Sequence, residues 1–148
     1  MTTIIEAAKE HFVVFLEMAM DLWGEDYDSN QLKDIYLDAL QSEKYKVLLC
    51  STENKIIAFI FLSVRVDYVE GSESSPTGYL EGIYVKPAFR KMGIAKKLLA
   101  EGEKWIKEKG CREIGSDAYI ENVVSHDFHT SVGFKEAGRL VTFIKSIE

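Results

Sequence analysis

Two stretches of the sequence carry residue types whose spacing predicts chemistry. The first is Arg90-Lys91-Met92-Gly93-Ile94-Ala95, which separates a short apolar run from an amphipathic one. A helix that begins here has free backbone N–H groups and the positive end of its dipole, and Gly93 lets a ligand oxygen approach the chain closely. With two cationic side chains beside them, these groups predict a binding site for a pyrophosphate.

The second stretch centres on Glu81, which lies within the apolar, β-prone run from Leu80 to Val85. A carboxylate with apolar neighbours is costly unless it has a partner. Gly82 beside it indicates a β-bulge or a close approach of the backbone. Asp117 follows another β-prone run in the same way, so both carboxylates are candidates for accepting a proton or binding a cation.

The elements that position these residues follow from hydrophobic periodicity and turn residues. The predicted order is β-α-α-β-β-β-α-β-α-β. The predicted segments are a strand at Thr2–Ala7, helices with apolar stripes from Phe12 to Trp23 and from Leu32 to Leu40, a hairpin of Tyr45–Cys50 with Lys55–Val66, a strand at 80–85, a helix at 94–109, a strand at Arg112–Asp117, a helix at Asn122–Val132 and a last strand from Gly133 to about Lys145.

Length and composition indicate one globular domain, residues 1–148, with 47% hydrophobic and 28% charged residues. No apolar run approaches the length of a membrane span, and the N-terminus lacks a basic leader, so we expect a cytoplasmic protein. Cys50 and Cys111 are expected to be buried thiols in a reducing compartment. No Cys/His cluster has zinc-site spacing, so no metal is expected.

Charge is distributed unevenly along the chain. Residues 21–81 carry five Lys/Arg and twelve Asp/Glu, a net charge of −7, whereas residues 82–148 carry twelve Lys/Arg and nine Asp/Glu, a net charge of +3. This division suits a protein that handles a cationic substrate and an anionic cofactor, although solvated helix faces produce the same counts. A basic stripe with interleaved aromatic residues is absent, which disfavours nucleic-acid binding.

The spacing Val85-x-Pro87-x-x-Arg90-x-x-Gly93-x-Ala95, between a strand and an amphipathic helix, resembles the acetyl-CoA-binding core of the GNAT acetyltransferases. The resemblance covers the whole chain. It implies an α+β fold, with a mixed, mostly antiparallel sheet, four helices and a splayed central pair of strands that binds acetyl-CoA. The cofactor-binding residues that it implies are Ile83, Tyr84, Val85, Arg90, Lys91, Met92, Gly93, Ile94, Ala95, Lys96, Asn122 and His129.

Further motifs are similar to those of the aminoglycoside 6′-N-acetyltransferases, in particular the short chromosomal type. They are Asp67–Gly71, Ser74–Pro76, Leu80–Ile83, Gly110–Glu113, Ser116–Asp117 and Glu121–Asn122. The resemblance implies direct acetyl transfer, in a ternary complex, to the 6′-amino group of these antibiotics, which confers resistance, and it implies a homodimer. The substrate-binding residues would be Trp23, Tyr27, Asp28, Tyr68, Glu70, Glu81 and Asp117, with Glu81 and Asp117 as the catalytic carboxylates.

Some of these roles compete with structural ones. Trp23 at a helix end also suits core packing, Asp28 suits a helix N-cap, and Glu70 suits a solvated loop. His129 stands where many GNAT enzymes have a tyrosine that protonates the leaving thiolate. It can serve as that acid, pack against its neighbours or contact the cofactor.

Two other functions remain open at this level. A GNAT enzyme that acetylates a polyamine or a protein amine would also have an acidic middle segment. A non-catalytic acyl-CoA-binding module would keep the pyrophosphate loop and lose the acceptor carboxylates, but Glu81 and Asp117 are both present.

Overall fold

The computed structural model describes residues 1–148 and shows five strands and four helices. Their bounds are β1 Thr2–Glu6, α1 Phe12–Trp23, α2 Ser29–Gln41, β2 Tyr45–Thr52, β3 Lys55–Arg65, β4 Thr77–Val85, α3 Ile94–Glu108, β5 Ile114–Ser116 and α4 Val123–Ser131. Short 3-10 turns lie at Lys9–His11 and Pro87–Phe89. The chain divides into two compact units, Met1–Ser116 and Asp117–Glu148. None of the four helices combines the length and apolar character that crossing a membrane would require.

The first unit contains one sheet with the strands in the order β1-β2-β3-β4-β5. The first three pairings are antiparallel, whereas β4 and β5 are parallel and are connected by α3. The prediction of a mixed, mostly antiparallel sheet is therefore confirmed. β5 pairs with β4 only along Gly78–Leu80, and β4 continues to Val85 without a partner in β5, so this central pair separates as expected.

A β-bulge interrupts the pairing of β3 with β4 at the position that Gly82 predicted. Phe61 is opposite Gly82 and Leu62 is opposite Leu80, so Glu81 is the extra residue of β4. Because side chains alternate between faces along a strand, an extra residue brings Glu81 and Gly82 to the same face of the sheet. That face is the one to which Phe61 belongs.

Both faces of the sheet are covered, which explains why β3 is buried from Ile57 to Ser63. On one face, α1 and α2 form an aromatic core in which the ring centroid of Phe15 lies 4.5 Å from that of Tyr36 and 4.8 Å from that of Phe59. On the other face, α3 approaches closely because Gly102 leaves room for Leu62. The apolar stripes that the sequence predicts for α1, α2 and α3 are the helix surfaces that pack against the sheet.

The second unit contains α4 as its only regular element. Asn122 is its N-cap, and the Asn122 side-chain oxygen accepts a hydrogen bond from the Ser125 N–H at 3.2 Å. The predicted last strand is wrong, because residues 134–148 form neither helix nor strand. A strand needs a neighbouring strand for its backbone hydrogen bonds, and this unit contains none.

We expect Tyr36→Phe to lower the free energy of unfolding by about 1 kcal/mol. The buried Tyr36 hydroxyl donates a 2.6 Å hydrogen bond to the Ala8 carbonyl, which loses this partner in the variant. Burial raises the pKa of Tyr36 from 10.0 to about 12. Since the folded-state pKa is the higher one, this contribution is fully present below pH 10.0 and is lost as the pH rises through about 12.

Urea unfolding of the parent and of Tyr36→Phe at pH 8 measures the contribution of the hydrogen bond to stability. The same comparison at pH 11 measures its loss as the pH rises. Tyr45→Phe is the matched control, since the Tyr45 ring is 41% exposed and its contact with Phe61 is kept. Equal stability of the parent and Tyr36→Phe at pH 8 would contradict the assigned hydrogen bond.

Candidate functional site

A cavity of about 720 Å³ opens on the α1 and α2 face of the sheet, at the end where β3 stops and β4 bulges. We call it the acidic cavity, because three carboxylates, those of Asp38, Asp67 and Glu81, line it together with two cations, Lys44 and Arg65. The residues that line it are Trp23, Tyr27, Leu32, Ile35, Asp38, Ala39, Lys44, Tyr45, Phe61, Ser63, Val64, Arg65, Val66, Asp67, Tyr68 and Glu81.

The structure brings four of the seven predicted substrate-binding residues together in this cavity. Trp23 and Tyr27 come from the end of α1 and the turn after it, Tyr68 comes from the loop after β3, and Glu81 comes from the bulge. Asp28 and Glu70 are exposed and do not line the cavity. The Asp28 carboxylate instead accepts the Gln31 N–H at 2.8 Å in a capping box at the start of α2.

Glu81 has the partners that its place in an apolar strand requires. Its carboxylate accepts a hydrogen bond from the Ser63 hydroxyl at 2.5 Å and forms a salt bridge with Arg65 at 2.8 Å. Its side chain is 25% exposed, so the carboxylate still reaches the cavity. An ionised carboxylate held in a fixed orientation can bind an ammonium group or accept a proton.

Trp23 packs in the core and also lines the cavity, so its position is compatible with both of the roles that the sequence suggested. Its ring packs 5.5 Å from the ring of Phe59 and edge-on to Phe61, and it also forms a wall of the acidic cavity. A Cβ atom at Gly82 would lie 2.1 Å from the ring. Only glycine at position 82 lets the indole rest against β4 beside Glu81.

The loop of residues 66–76 is held by hydrogen bonds to Glu113, the residue before β5. The Glu113 carboxylate accepts hydrogen bonds from the Ser74 hydroxyl and from the Glu73 N–H, the latter at 2.9 Å. These bonds hold the pKa of Glu113 below its ordinary value, with the Ser74 hydroxyl as the main cause. Val69 is buried, and it packs against the position of Gly115. The loop thereby presents Asp67 and Tyr68 to the cavity.

The start of α3 has the geometry that the sequence predicted for anion binding. Gly93 is the N-cap in a left-handed conformation (φ +80°) and offers no side-chain cap. The first helical hydrogen bond runs from the Lys97 N–H to the Gly93 carbonyl, so the N–H groups of Ile94, Ala95 and Lys96 have no partner within the helix. Nothing lies within 4 Å of a Cβ atom built on Gly93, so the approach to these groups is open.

Arg90 is tied to the strand before it. Its Nε–H donates to the Val85 carbonyl at 2.7 Å, and its guanidinium lies 5.2 Å from the centre of the Tyr84 ring. The Tyr84 hydroxyl donates to the Asp21 carboxylate of α1, and burial followed by this hydrogen bond raises the pKa of Tyr84. Tyr84, Val85 and Arg90 therefore form one connected group.

Two predicted cofactor residues and one predicted catalytic residue belong to the second unit. Asp117 is its first residue, and Asn122 caps α4. The His129 Nδ1 lies 2.7 Å from the Ser125 carbonyl, which only accepts, so this nitrogen carries a hydrogen. The His129 ring also packs 5.0 Å from the ring of Phe134.

The two cysteines are buried and unpaired, and burial is the main cause that raises the pKa of each thiol. A thiol with a raised pKa is a poor nucleophile, because the thiolate is the reactive form. An acyl-cysteine intermediate therefore has no support in the structure. The side chains also form no group of three or more His, Cys, Asp or Glu residues that could hold a metal ion.

Sequence reasoning missed Arg65, Asp38 and Lys44 as parts of the site. The charge of residues 21–81 signalled that carboxylates would gather, but it did not indicate which ones. Ser63 and Arg65 alternate with Leu62 and Val64, and this period of two places them on one face of the strand. Their pairing with Glu81 depends on the register of β3 and β4, which periodicity does not give.

Comparison with known proteins gives consistent similarities. The sequence profile of the acetyltransferase (GNAT) family matches residues 4–134. An aminoglycoside N(6′)-acetyltransferase type 1 from Acinetobacter haemolyticus is 42% identical over 135 residues, which cover 90% of this chain and 91% of that protein. One from Stenotrophomonas maltophilia is 34% identical over 146 residues, which cover 99% and 94% of the two chains.

Solved structures show the same likeness in three dimensions. The crystal structure of an aminoglycoside 6′-N-acetyltransferase from Acinetobacter haemolyticus superposes with a TM-score of 0.93 at 36% identity and covers 99% of both chains. A structure of AAC(6′)-Iy in complex with the bisubstrate analogue CoA-S-monomethyl-acetylneamine superposes with a TM-score of 0.91 at 35% identity, again over 99% of both chains.

We expect Glu113→Ala to loosen the loop of residues 66–76 at neutral pH. In the parent the pKa of Glu113 is lowered from its ordinary value of 4.5 by the hydrogen bonds to the loop. This stabilisation is therefore present above pH 4.5 and is lost as the pH falls through the lowered pKa. Hydrogen exchange of the loop amides at pH 7 should be faster in Glu113→Ala than in the parent. Glu108→Ala, at the exposed last residue of α3, serves as the control. Equal protection of the loop in all three proteins would show that Glu113 does not hold it.

Proposed function

Because the chain belongs to the GNAT acetyltransferase family, and within it to the aminoglycoside N(6′)-acetyltransferases, we propose that it transfers an acetyl group from acetyl-CoA to the 6′-amino group of aminoglycoside antibiotics. The observation that carries this proposal is the acidic cavity beside the bulge of β4. Its carboxylates attract ammonium groups, and its aromatic rings offer flat faces to sugars and cations. Such an activity confers resistance to these antibiotics.

Acetyl-CoA is the co-substrate that the chain would hold through the start of α3. The free N–H groups after Gly93, together with Arg90 and Lys91, fit a pyrophosphate. The open edge of β4 at Ile83–Val85 fits the extended part of the molecule, because no residue of β5 pairs there. Acetyl-CoA supplies a thioester, whose carbonyl carbon is the electrophile.

The two carboxylates assigned to the amine substrate, Glu81 and Asp117, prepare the amine for attack. An ammonium group must lose a proton before its nitrogen can attack, and one of these carboxylates accepts that proton directly or through water. A backbone N–H near Ile83, at the open edge, stabilises the negative charge that develops on the carbonyl oxygen. The new C–N bond forms as the C–S bond breaks, and the sulfur leaves as a thiolate that takes up a proton. His129 is the candidate donor of that proton, and a good leaving group does not require one.

Location and assembly complete the proposal. We place the activity in the cytoplasm, where acetyl-CoA is available.

We also propose a homodimer, because large apolar residues of the second unit are exposed, including Phe143 at 90% and Ile144 at 100%. A light-scattering mass equal to one chain would contradict the dimer.

Gly93→Ala should weaken the binding of CoA, because its Cβ atom stands where the pyrophosphate approaches. Gly110→Ala is the matched control: Gly110 lies at the other end of α3, its φ is +86°, and its surroundings are equally open. Arg90→Ala should weaken the binding of CoA more modestly than Gly93→Ala. The expected loss of binding free energy is about 1.5–3 kcal/mol, the contribution of one charged hydrogen bond. Calorimetric titration with CoA gives the affinities. If Gly93→Ala and Gly110→Ala both bind like the parent, the pyrophosphate lies elsewhere.

Glu81→Gln and Asp117→Asn should each impair transfer and leave the affinity for CoA nearly unchanged. Both changes keep the shape of the side chain and remove its charge. If one carboxylate is the general base, the rate at neutral pH should fall about 100-fold or more and recover partly at higher pH, where more free amine is present. Thiol release at several pH values measures this effect. A variant whose rate and acceptor affinity equal those of the parent is not altered at a functional carboxylate.

Tobramycin should be acetylated at its 6′-nitrogen, and an analogue with a 6′-hydroxyl should bind without releasing thiol. Binding uses the other ammonium groups, whereas the reaction needs that one nitrogen. The apparent affinity should fall as salt rises, since partly exposed charges are screened within about 8–10 Å. Mass spectrometry and NMR of the product locate the acetyl group. Acetylation at another nitrogen would refute the 6′ assignment. Thiol release that occurs with spermidine or a peptide but with none of the aminoglycosides would favour the polyamine or protein-amine alternative.

A further inference from the structure

Arg65 is a cation in the wall of a cavity proposed to bind cations, and this placement needs an explanation. It is the last residue of β3, and its side chain is 42% exposed. Two contacts hold its guanidinium. It lies 3.5 Å from the centre of the Tyr79 ring, and it donates hydrogen bonds to Glu81. A planar guanidinium that is stacked on one side and paired at its edge has little freedom to move.

The hydrogen bonds are distributed unequally over the two oxygens of Glu81. Oε2 accepts from the Ser63 hydroxyl at 2.5 Å, from Arg65 Nε at 3.2 Å and from Arg65 Nη2 at 2.8 Å. Oε1 accepts only from Arg65 Nη2, at 2.9 Å. Because a carboxylate oxygen has two lone pairs, Oε2 is saturated and Oε1 keeps capacity for another donor.

The sheet register explains why Arg65 can do this. Ser63 is directly opposite Tyr79, and Arg65 is opposite Thr77, so Arg65 is the diagonal neighbour of Tyr79 on the same face. The bulge then brings Glu81 onto that face, within reach of both Ser63 and Arg65. The three contacts to Glu81 and Tyr79 therefore depend on ordered strand residues.

We propose that Arg65 is a positioning residue for Glu81 and an internal counter-ion that competes with the acceptor's ammonium groups. It presents Oε1 to the acceptor and so favours turnover, while its positive charge weakens acceptor binding. This inference rests on the proposed function, because it requires a cationic acceptor in the acidic cavity.

Substitution of Arg65 by methionine should lower kcat and KM together, a pattern that general damage to the fold does not produce. Arg65→Met keeps the length of the side chain and removes both the charge and the hydrogen bonds. We expect kcat to fall about tenfold or more, because Glu81 loses its fixed orientation. We expect KM for the acceptor to fall as well, by about threefold, because a like charge has left the cavity. The fall in KM should be larger for tobramycin than for kanamycin A, which carries fewer amino groups.

Two further variants separate the two effects. Arg65→Lys keeps the charge and loses the planar fork, so kcat should fall while KM stays near that of the parent. Lys44→Met removes the other cation of the acidic cavity, which forms no ion pair with Glu81. It should lower KM for the acceptor, because a like charge leaves the cavity. Thermal unfolding of each variant shows whether it is folded. If Arg65→Met does not fold, the kinetics of Arg65→Lys test the proposal.

Initial rates of thiol release, with calorimetric titration of tobramycin in the presence of CoA, decide the outcome. A fall in both kcat and KM for Arg65→Met, with a fall in kcat alone for Arg65→Lys, supports the proposal. An unchanged kcat in both variants, or a higher KM in Arg65→Met, overturns it. If the parent releases no thiol with any aminoglycoside, the proposed function fails instead. Tighter binding of tobramycin to Arg65→Met than to the parent would then still identify Arg65 as the competing cation.

Discussion

The pairing of β3 with β4, interrupted by one extra residue at Glu81, is the constraint on which the rest of the structure depends. The bulge turns a carboxylate and a glycine to the same face of the sheet. Glu81 meets Ser63 and Arg65 there, and Gly82 gives Trp23 room to pack. β5 stops pairing at Leu80, so the strand opens at the residue where the bulge begins. One irregularity thus places the Glu81 carboxylate beside the open edge.

The bulge of β4 and the segment after the last residue of β4 present groups of opposite charge. At the bulge the acidic cavity gathers three carboxylates, whereas beyond Val85 the chain turns into the start of α3 with its free N–H groups. The two places are connected through α1. This helix contributes Trp23 to the cavity and Asp21 to the hydroxyl of Tyr84, whose ring lies beside Arg90.

The salt bridge between Glu81 and Arg65 is a matter of geometry more than of stability. Arg65 is 42% exposed, and pairs in such surroundings contribute about 0–1 kcal/mol. The carboxylate it holds still adjoins the cavity, with one oxygen less occupied than the other. A charge inside a binding site therefore has to be judged by what it orients as well as by what it attracts.

The sequence alone determined the local parts of this protein. The helix from Phe12 to Trp23, the cap at Asp28, the bulge at Gly82 and the glycine at the start of α3 follow from residue types and spacing within a few positions. The short helix predicted at Asn122–Val132 also forms, at Val123–Ser131. The tertiary structure decided which side chains meet. It gave Glu81 its two partners from β3, kept Asp28 out of the cavity lining, and left residues 134–148 without a strand. The physical reason is that helix caps and bulges depend on near neighbours in the chain. Ion pairs across strands and the formation of a strand depend on register and on a partner that the segment does not itself contain.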